Sequence, residues 1–263
     1  NLYIIDNKMS LTCNSGFGRN ICRAGNKIIS VVTNNTEIAD NGLDCKSQFC
    51  LDPKGDVKFT FAIDKDTERS IGYITGPSGS GKSTLCVQYL TAYKKAYPTN
   101  KIYVFSALSE DPTLDKIKDL KRIKLNERLY TDPIQAEQLQ DSMCIFDDTD
   151  VISDKKIREA VYTLMNSALE TGRHFKTSML VTNHLPSAGH LTRRILNECH
   201  FCALFPWSGS SGGIKRLLEV YLGVSKKDFK RAKDSRSRWM VVFKNYPQTI
   251  VTEYQVWTAG QED

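Results

Sequence analysis

Between residues 71 and 84 the chain reads Ile-Gly-Tyr-Ile-Thr-Gly-Pro-Ser-Gly-Ser-Gly-Lys-Ser-Thr. A short apolar strand runs straight into Gly76, Pro77, Ser78, Gly79, Ser80, Gly81, Lys82, Ser83 and Thr84, the G-x-x-x-x-G-K-S spacing of a phosphate-binding loop. Glycines let the backbone wrap so that consecutive N–H groups point at one phosphate. Lys82 is expected to reach the β- and γ-phosphates, and the Ser83 hydroxyl to ligate Mg²⁺. A helix beginning near Lys82 adds the positive end of its dipole. A chance Gly/Ser-rich turn is the competing reading, but it would lack the preceding strand and the apolar run Leu85, Val87, Tyr89, Leu90 that follows. The expected ligand is a nucleoside triphosphate, read as ATP with Mg²⁺.

Cleaving that nucleotide needs a second strand ending in carboxylates. Ser142-Met143-Cys144-Ile145-Phe146-Asp147-Asp148 supplies one, with the continuous apolar run of a buried parallel strand. Asp147 sits where an Asp holds Mg²⁺, and Asp148 where a carboxylate polarises the attacking water. Many such enzymes use the longer Glu at the second position. The plainer alternative is an acidic strand end that caps the next helix. That role suits Asp154, the expected N-cap of a helix over 155–171. A third strand, 177–182, ends on Asn183-His184. Asn183 is the candidate that senses the γ-phosphate or positions water, against a loop-capping alternative, and His184 reads as a loop histidine.

These residues need a scaffold that brings strand ends together. Strands at 101–106 and 201–205 join the three above, alternating with helices, which means a parallel sheet with helices on both faces. The strand at 101–106 lies in sequence between the two motifs and places the chain with ATPases whose P-loop strand and acidic strand are not neighbours. The expected fold class is therefore α/β, a P-loop NTPase of RecA-like (ASCE) type. It has a mainly parallel central sheet flanked by helices, plus a C-terminal β-hairpin from 239–243 and 249–257.

The 263 residues, 40% hydrophobic, are enough for one large domain with a proper core. That domain is expected over 57–263, entered through a strand at 57–63. Residues 1–56 are rich in Asn, Gly, Ser and Asp and read as an N-terminal arm or small β extension. No 18-residue apolar run occurs, so no membrane span is expected, and the start has no signal-peptide pattern. The first residue is not Met, so the chain reads as a trimmed or extended product, or one starting at Met9. The eight cysteines read as reduced, packed thiols. Cys13, Cys22, Cys45 and Cys50 have no Cys-x-x-Cys spacing among them, and no zinc is expected.

The net charge is +6 and unevenly spread. Residues 215–238 carry nine Lys and Arg against Glu219, Asp228 and Asp234, and nine minus three equals the net charge of the whole chain. Such a basic segment beside a P-loop core suggests nucleic acid gripped through its phosphates. A merely solvated helix face is the bland alternative.

With these residues in place, the chain resembles a family. The P-loop, the Asp147-Asp148 strand end and the Gly172-Arg173-His174 turn before the strand ending in Asn183-His184 match in order. So does the closing Ser-Arg-Trp-Met-Val-Val-Phe-Lys-x-Tyr-Pro over 237–247. Together they are similar to the poxvirus-type genome-packaging ATPases of nucleocytoplasmic large DNA viruses, in the HerA–FtsK superfamily, over roughly residues 57–257. The resemblance implies a homo-oligomeric ring that hydrolyses ATP to drive double-stranded DNA into a capsid, and partners among capsid or packaging-vertex proteins. It implies a place in the host cytoplasm, at a virus factory, or in the virion. It also implies an arginine finger reaching a neighbouring subunit's nucleotide, for which Arg173 is the first choice and Arg193 or Arg194 the second. Superfamily members often have Gln and Glu where this chain has Asn183 and Asp148.

Other readings are a small-molecule P-loop kinase, a non-packaging DNA-binding ATPase, a scaffold with a relict nucleotide site, and an ABC-type ATPase. The last places a Leu-Ser-Gly-Gly-Gln-like signature between the two motifs. Here the nearest stretch, 208–213, follows both.

Overall fold

The structure, a computed structural model, describes residues 10–14, 16–33, 35–186, 190–208 and 210–260. The candidate start at Met9 lies outside the described residues. The first three strands are β1 (Leu11–Thr12), β2 (Arg19–Ala24) and β3 (Lys27–Val31), followed by helix α1 (Asn35–Asp40), β4 (Gln48–Cys50) and β5 (Phe59–Phe61). The nucleotide-loop strand is β6 (Ile71–Thr75), and helix α2 (Lys82–Ala96) follows it. Next come β7 (Lys101–Ser106), β8 (Leu120–Ile123), the short α3 (Arg128–Thr131), β9 (Ser142–Asp147), α4 (Lys155–Thr171), β10 (Ser178–Asn183), α5 (His190–Glu198) and β11 (Phe201–Leu204). Helices α6 (Ser211–Arg216) and α7 (Lys226–Asp234) precede β12 (Met240–Phe243), β13 (Thr249–Thr252) and β14 (Gln255–Thr258).

Ten strands make one sheet in the order β4-β14-β13-β12-β11-β6-β10-β9-β7-β8. From β11 to β8 every pairing is parallel, while β11 to β4 run antiparallel. The P-loop strand and the acidic strand are indeed not neighbours. The strand inserted between them is β10, and β7 lies on the far side of β9. The closing hairpin is longer than the sequence suggests. Its second strand breaks at Glu253-Tyr254 into β13 and β14, and the resulting meander extends the central sheet.

Both faces of this sheet are covered, so its strands read as apolar runs. Alternate residues of the parallel strands face opposite cores. Ile71, Tyr73, Cys144, Phe146, Met179 and Val181 pack with α4, α5 and Leu217–Leu222. Ile74, Met143, Ile145 and Leu180 pack with α2 and the second sheet, of order β1-β3-β2-β5. In that second sheet β2 pairs with β5, so residues from both sides of position 57 share one layer. On the first face Phe105 stacks on Phe146 at 4.8 Å between centroids. Full burial of each such ring contributes about 2–3 kcal/mol. The helix expected at 155–171 forms with those bounds, and Asp154 caps it by accepting from the Ile157 amide at 2.9 Å.

The chain's Cys-x-x-Cys spacing, Cys199 to Cys202, runs from a helix end into β11, and both side chains are buried. Burial pushes the Cys199 thiol up to about 11 and Cys202 up as well, so both are inert packing residues. Among the described residues no helix is long and apolar enough to cross a membrane.

His200 stitches β6 to the end of α5. Its Nδ1 accepts from the Ile71 amide at 3.3 Å, so the ring must be neutral there. Burial, aided by Arg19, Arg69 and Lys244, lowers its pKa from 6.5 to about 4. The folded value lies below the unfolded one, so the stabilisation is complete above pH 6.5 and is lost as pH falls from there to about 4. We expect wild type to lose up to about 3 kcal/mol more than His200→Gln over that window in denaturant titrations. Identical pH–stability curves for the two proteins would contradict this account.

Candidate nucleotide-binding site

The parallel strands all point their C-terminal ends at one edge, where ligands of open α/β sheets bind. At that edge the chain after β6 turns through residues 76–81 into α2. Gly79 and Gly81 adopt φ of 75° and 109°, a region open to glycine at no steric penalty. A Cβ on Gly76 would lie 2.7 Å from both Phe205 Cδ2 and Ser80 Oγ. The loop is thus backed by Phe205, which follows β11, and closed to any larger residue at its first position. Residue Gly81 stands at the N-cap of α2 with no side-chain cap on the first amides. Those orphan N–H groups are anion donors.

Around this cradle the structure brings together most of the expected residues. Lys82 is buried, and its Nζ donates to the Gly76 carbonyl at 3.0 Å and lies 3.5 Å from Asp148 Oδ1. Asp147 accepts from Thr182 Oγ1 at 2.8 Å and Ser106 Oγ at 3.0 Å. Burial pushes its carboxyl up, helped by the neighbouring charges of Asp148 and Asp111 and opposed by those two hydroxyls. Asp148 takes a left-handed backbone, φ 45°, rare for a residue with a Cβ. Its amide is held by the Thr182 carbonyl at 3.2 Å and hydroxyl at 3.0 Å. Asn183 is buried at the tip of β10. Its carbonyl accepts from the Gly76 amide at 3.2 Å, its Nδ2 donates to Tyr73 Oη at 3.3 Å, and its Oδ1 has no partner.

Two residues at this edge escape a reading of local sequence. His184 bridges the site, with Nδ1 3.2 Å from Lys82 Nζ and Nε2 3.0 Å from Asp148 Oδ2. Because the ammonium can only donate, Nδ1 accepts and Nε2–H donates to the carboxylate. Asp111, in the loop after β7, accepts from Ser83 Oγ at 2.9 Å. The rule that picked out Asp147 and Asn183 at strand ends, applied to 101–106, points to the same loop.

Arg173 is not brought to this edge. It lies in the turn before β10, at the opposite end of the sheet, exposed and ion-paired through Nε to Glu68. Arg194 pairs with Glu170 at 2.6 Å, and Arg193 is exposed on α5.

Residues of this kind fit a nucleotide with Mg²⁺. The cradle admits only glycine at position 76, the Ser80 and Thr75 hydroxyls are buried without partners, and Ser83 and Asp147 are oxygen donors. Among the described residues no three His, Cys, Asp or Glu side chains are grouped to hold a metal alone.

No family model matches the chain. It is 40% identical over 187 residues to the uncharacterized protein V3 of Sputnik virophage, across 70% of this chain and 75% of V3. The chain belongs to the V3 family. Among solved structures, the cytoplasmic domain of the Type VII secretion ATPase EccC from Thermomonospora curvata matches at a TM-score of 0.50. That match has 14% identity and covers 82% of this chain and 29% of EccC. It shows that the V3-family chain has the fold of these P-loop ATPases. The genome packaging NTPase B204 of Sulfolobus turreted icosahedral virus 2, in complex with AMPPCP, is similar at a TM-score of 0.47 with 13% identity, covering 71% of this chain and 99% of B204.

The basic segment of this V3-family chain divides when folded. Arg231 lies 4.5 Å from the Trp257 ring and donates to Gln255 at 3.1 Å, and Arg238 turns to the buried Glu253. Asp228 is also structural, accepting from Trp257 Nε1 at 2.8 Å and the Gly260 amide at 3.1 Å. Lys215, Lys226, Lys230 and Lys233 line one groove of about 330 Å³ together with Glu219, and Lys230 pairs with Asp234 at 2.9 Å. Lys233 lies 4.9 Å from the exposed Trp207 ring, two residues after the Phe205 that backs the phosphate loop.

Proposed function

We propose that the chain is an ATP-driven translocase of double-stranded DNA that packages a viral genome into capsids, working as a homo-oligomeric ring. One observation carries the nucleotide half of this reading. Lys82, Ser83, Asp147, Asp148 and Asn183, from three parallel strand ends, meet around the 76–81 loop, where the first amides of α2 have no side-chain cap. Backbone amides of 76–84 cradle the phosphates, and Lys82 exchanges its Gly76 carbonyl for their oxygens. Ser83 and Asp147 would hold Mg²⁺, which when bound supplies positive charge to those oxygens. As Lys82 moves to phosphate, Asp148 keeps His184 as its partner, which orients the carboxylate toward water. Asn183 reports the γ-phosphate through Tyr73 and Gly76.

The DNA half rests on the lysine groove, whose charges suit a phosphate backbone without sequence readout. Its link to the nucleotide is the short path Gly76–Phe205–Trp207–Lys233. Arg173 serves as the finger in trans. The partners are double-stranded DNA, further copies of the chain and capsid or packaging-vertex proteins, at a virus factory or in the virion.

The test is steady-state ATP hydrolysis with and without linear double-stranded DNA over a protein concentration series. DNA stimulation that rises steeply with concentration is expected. Hydrolysis indifferent to both would sink the motor and send the search to small-molecule phosphate acceptors.

A further inference from the structure

In the reading above, which this inference deepens and on which it rests, Ser83 meets Mg²⁺ through an oxygen lone pair. Nothing in that reading says which way the hydroxyl points. Asp111 does. It is buried in the loop after β7, and its two carboxylate oxygens have separate tasks. Oδ1 accepts the amides of Thr113 at 2.7 Å and Leu114 at 3.0 Å, which hold the turn. Oδ2 accepts the Ser83 hydroxyl at 2.9 Å. Behind it, the Asp111 amide donates to Asp115 Oδ2 at 2.8 Å. Arg122 in turn donates to Asp115 Oδ1, from Nε at 3.0 Å and Nη2 at 2.8 Å.

A serine hydroxyl has one proton and two lone pairs, and a carboxylate only accepts. We propose that Asp111 is a positioning residue that draws the Ser83 proton away from the nucleotide, leaving the oxygen's lone pairs free to face the cation. The chain Arg122–Asp115–Asp111 fixes that acceptor. A structural role alone is met by Oδ1, and the bond from Ser83 to Oδ2 is additional to it.

Asp111→Asn separates the two tasks. Its Oδ1 keeps both turn amides, but Nδ2 can only donate, so Ser83 must accept there, which spends one lone pair and releases its proton to compete for the position facing the cation. The measurement is equilibrium binding of a fluorescent, non-hydrolysable ATP analogue to the full chain, in EDTA and over a Mg²⁺ series. For Asp111→Asn we expect the Mg²⁺ concentration giving half-maximal tightening to rise about 10–100-fold, the usual effect of losing a partner behind a metal ligand. Affinity in EDTA should be unchanged. In a Ser83→Ala background, Asp111→Asn should add nothing, because both act through one hydroxyl.

An unchanged Mg²⁺ requirement would overturn the proposal. So would an equal loss of binding in EDTA, which marks a damaged loop, or full additivity with Ser83→Ala. Wild-type binding that fails altogether, or ignores Mg²⁺, removes the underlying nucleotide reading instead, and is recognised before any variant is made.

Discussion

Replacing Arg173 by alanine should lower ATP hydrolysis by the proposed ring about 10³–10⁵-fold, the usual worth of an arginine finger, if the proposed trans role holds. Nucleotide binding by the single subunit should be untouched. The reason is geometric. Arg173 precedes β10 and stands at the sheet edge opposite its own phosphate loop, beside Glu68. It can meet a γ-phosphate only in another copy. A head-to-tail, heterologous interface sets one edge of a subunit against the other edge of the next. The residue is exposed and anchors no core, so its removal should leave folding intact. Mixing Arg173→Ala with Lys82→Ala subunits should restore activity, since some interfaces then combine an intact loop with an intact arginine. Full activity of Arg173→Ala in rings would transfer the role to Arg193.

Lys82→Ala should reduce hydrolysis by at least about 10²–10³-fold at every protein concentration, as loss of a preorganised donor to developing charge does. It should also weaken ATP binding by about 10–100-fold, the equivalent of one charge-assisted hydrogen bond. The position is not tolerant of substitution by shape alone. Lys82 Nζ contacts the Gly76 carbonyl and lies beside His184 and Asp148, so the variant leaves Asp148 to the imidazole and the Thr182 hydroxyl, with no ammonium beside it. Isothermal titration with a slowly hydrolysed analogue, beside a phosphate-release assay, separates the two effects. Near-normal turnover in this variant would mean the chemistry happens elsewhere on the molecule.

The residues that announce themselves in the sequence are those whose role is fixed by neighbours along the chain. The phosphate loop needs its glycines at set intervals, and Asp147 ends a run of buried apolar residues, so both are legible locally. Asp154 was readable as a cap for the same reason. His184 and Asp111 carry no motif of their own, although Asp111 lies in the loop to which the strand-end rule points. They become site residues only because the parallel order β6-β10-β9-β7 lays their loops beside Lys82 and Ser83. β8 escapes notice because an outermost strand is covered less completely, and Leu-Lys-Arg-Ile shows no apolar run. The basic segment misleads in the other direction. A charge count cannot tell Arg231, spent on Trp257 and Gln255, from Lys215 or Lys226 in the groove.

The ends of the ten-strand order limit how copies of the chain can join. One end is β4, three residues long, and the other is β8, four residues with two adjacent cations. Short and charged borders are poor templates for a further strand. These borders disfavour fusing the ten-strand sheets of neighbouring molecules into a continuous ribbon, which leaves loops and side chains to join the copies of the proposed ring. Contacts of that sort can slide and re-form during each catalytic cycle, whereas a backbone ladder shared between subunits would lock them together.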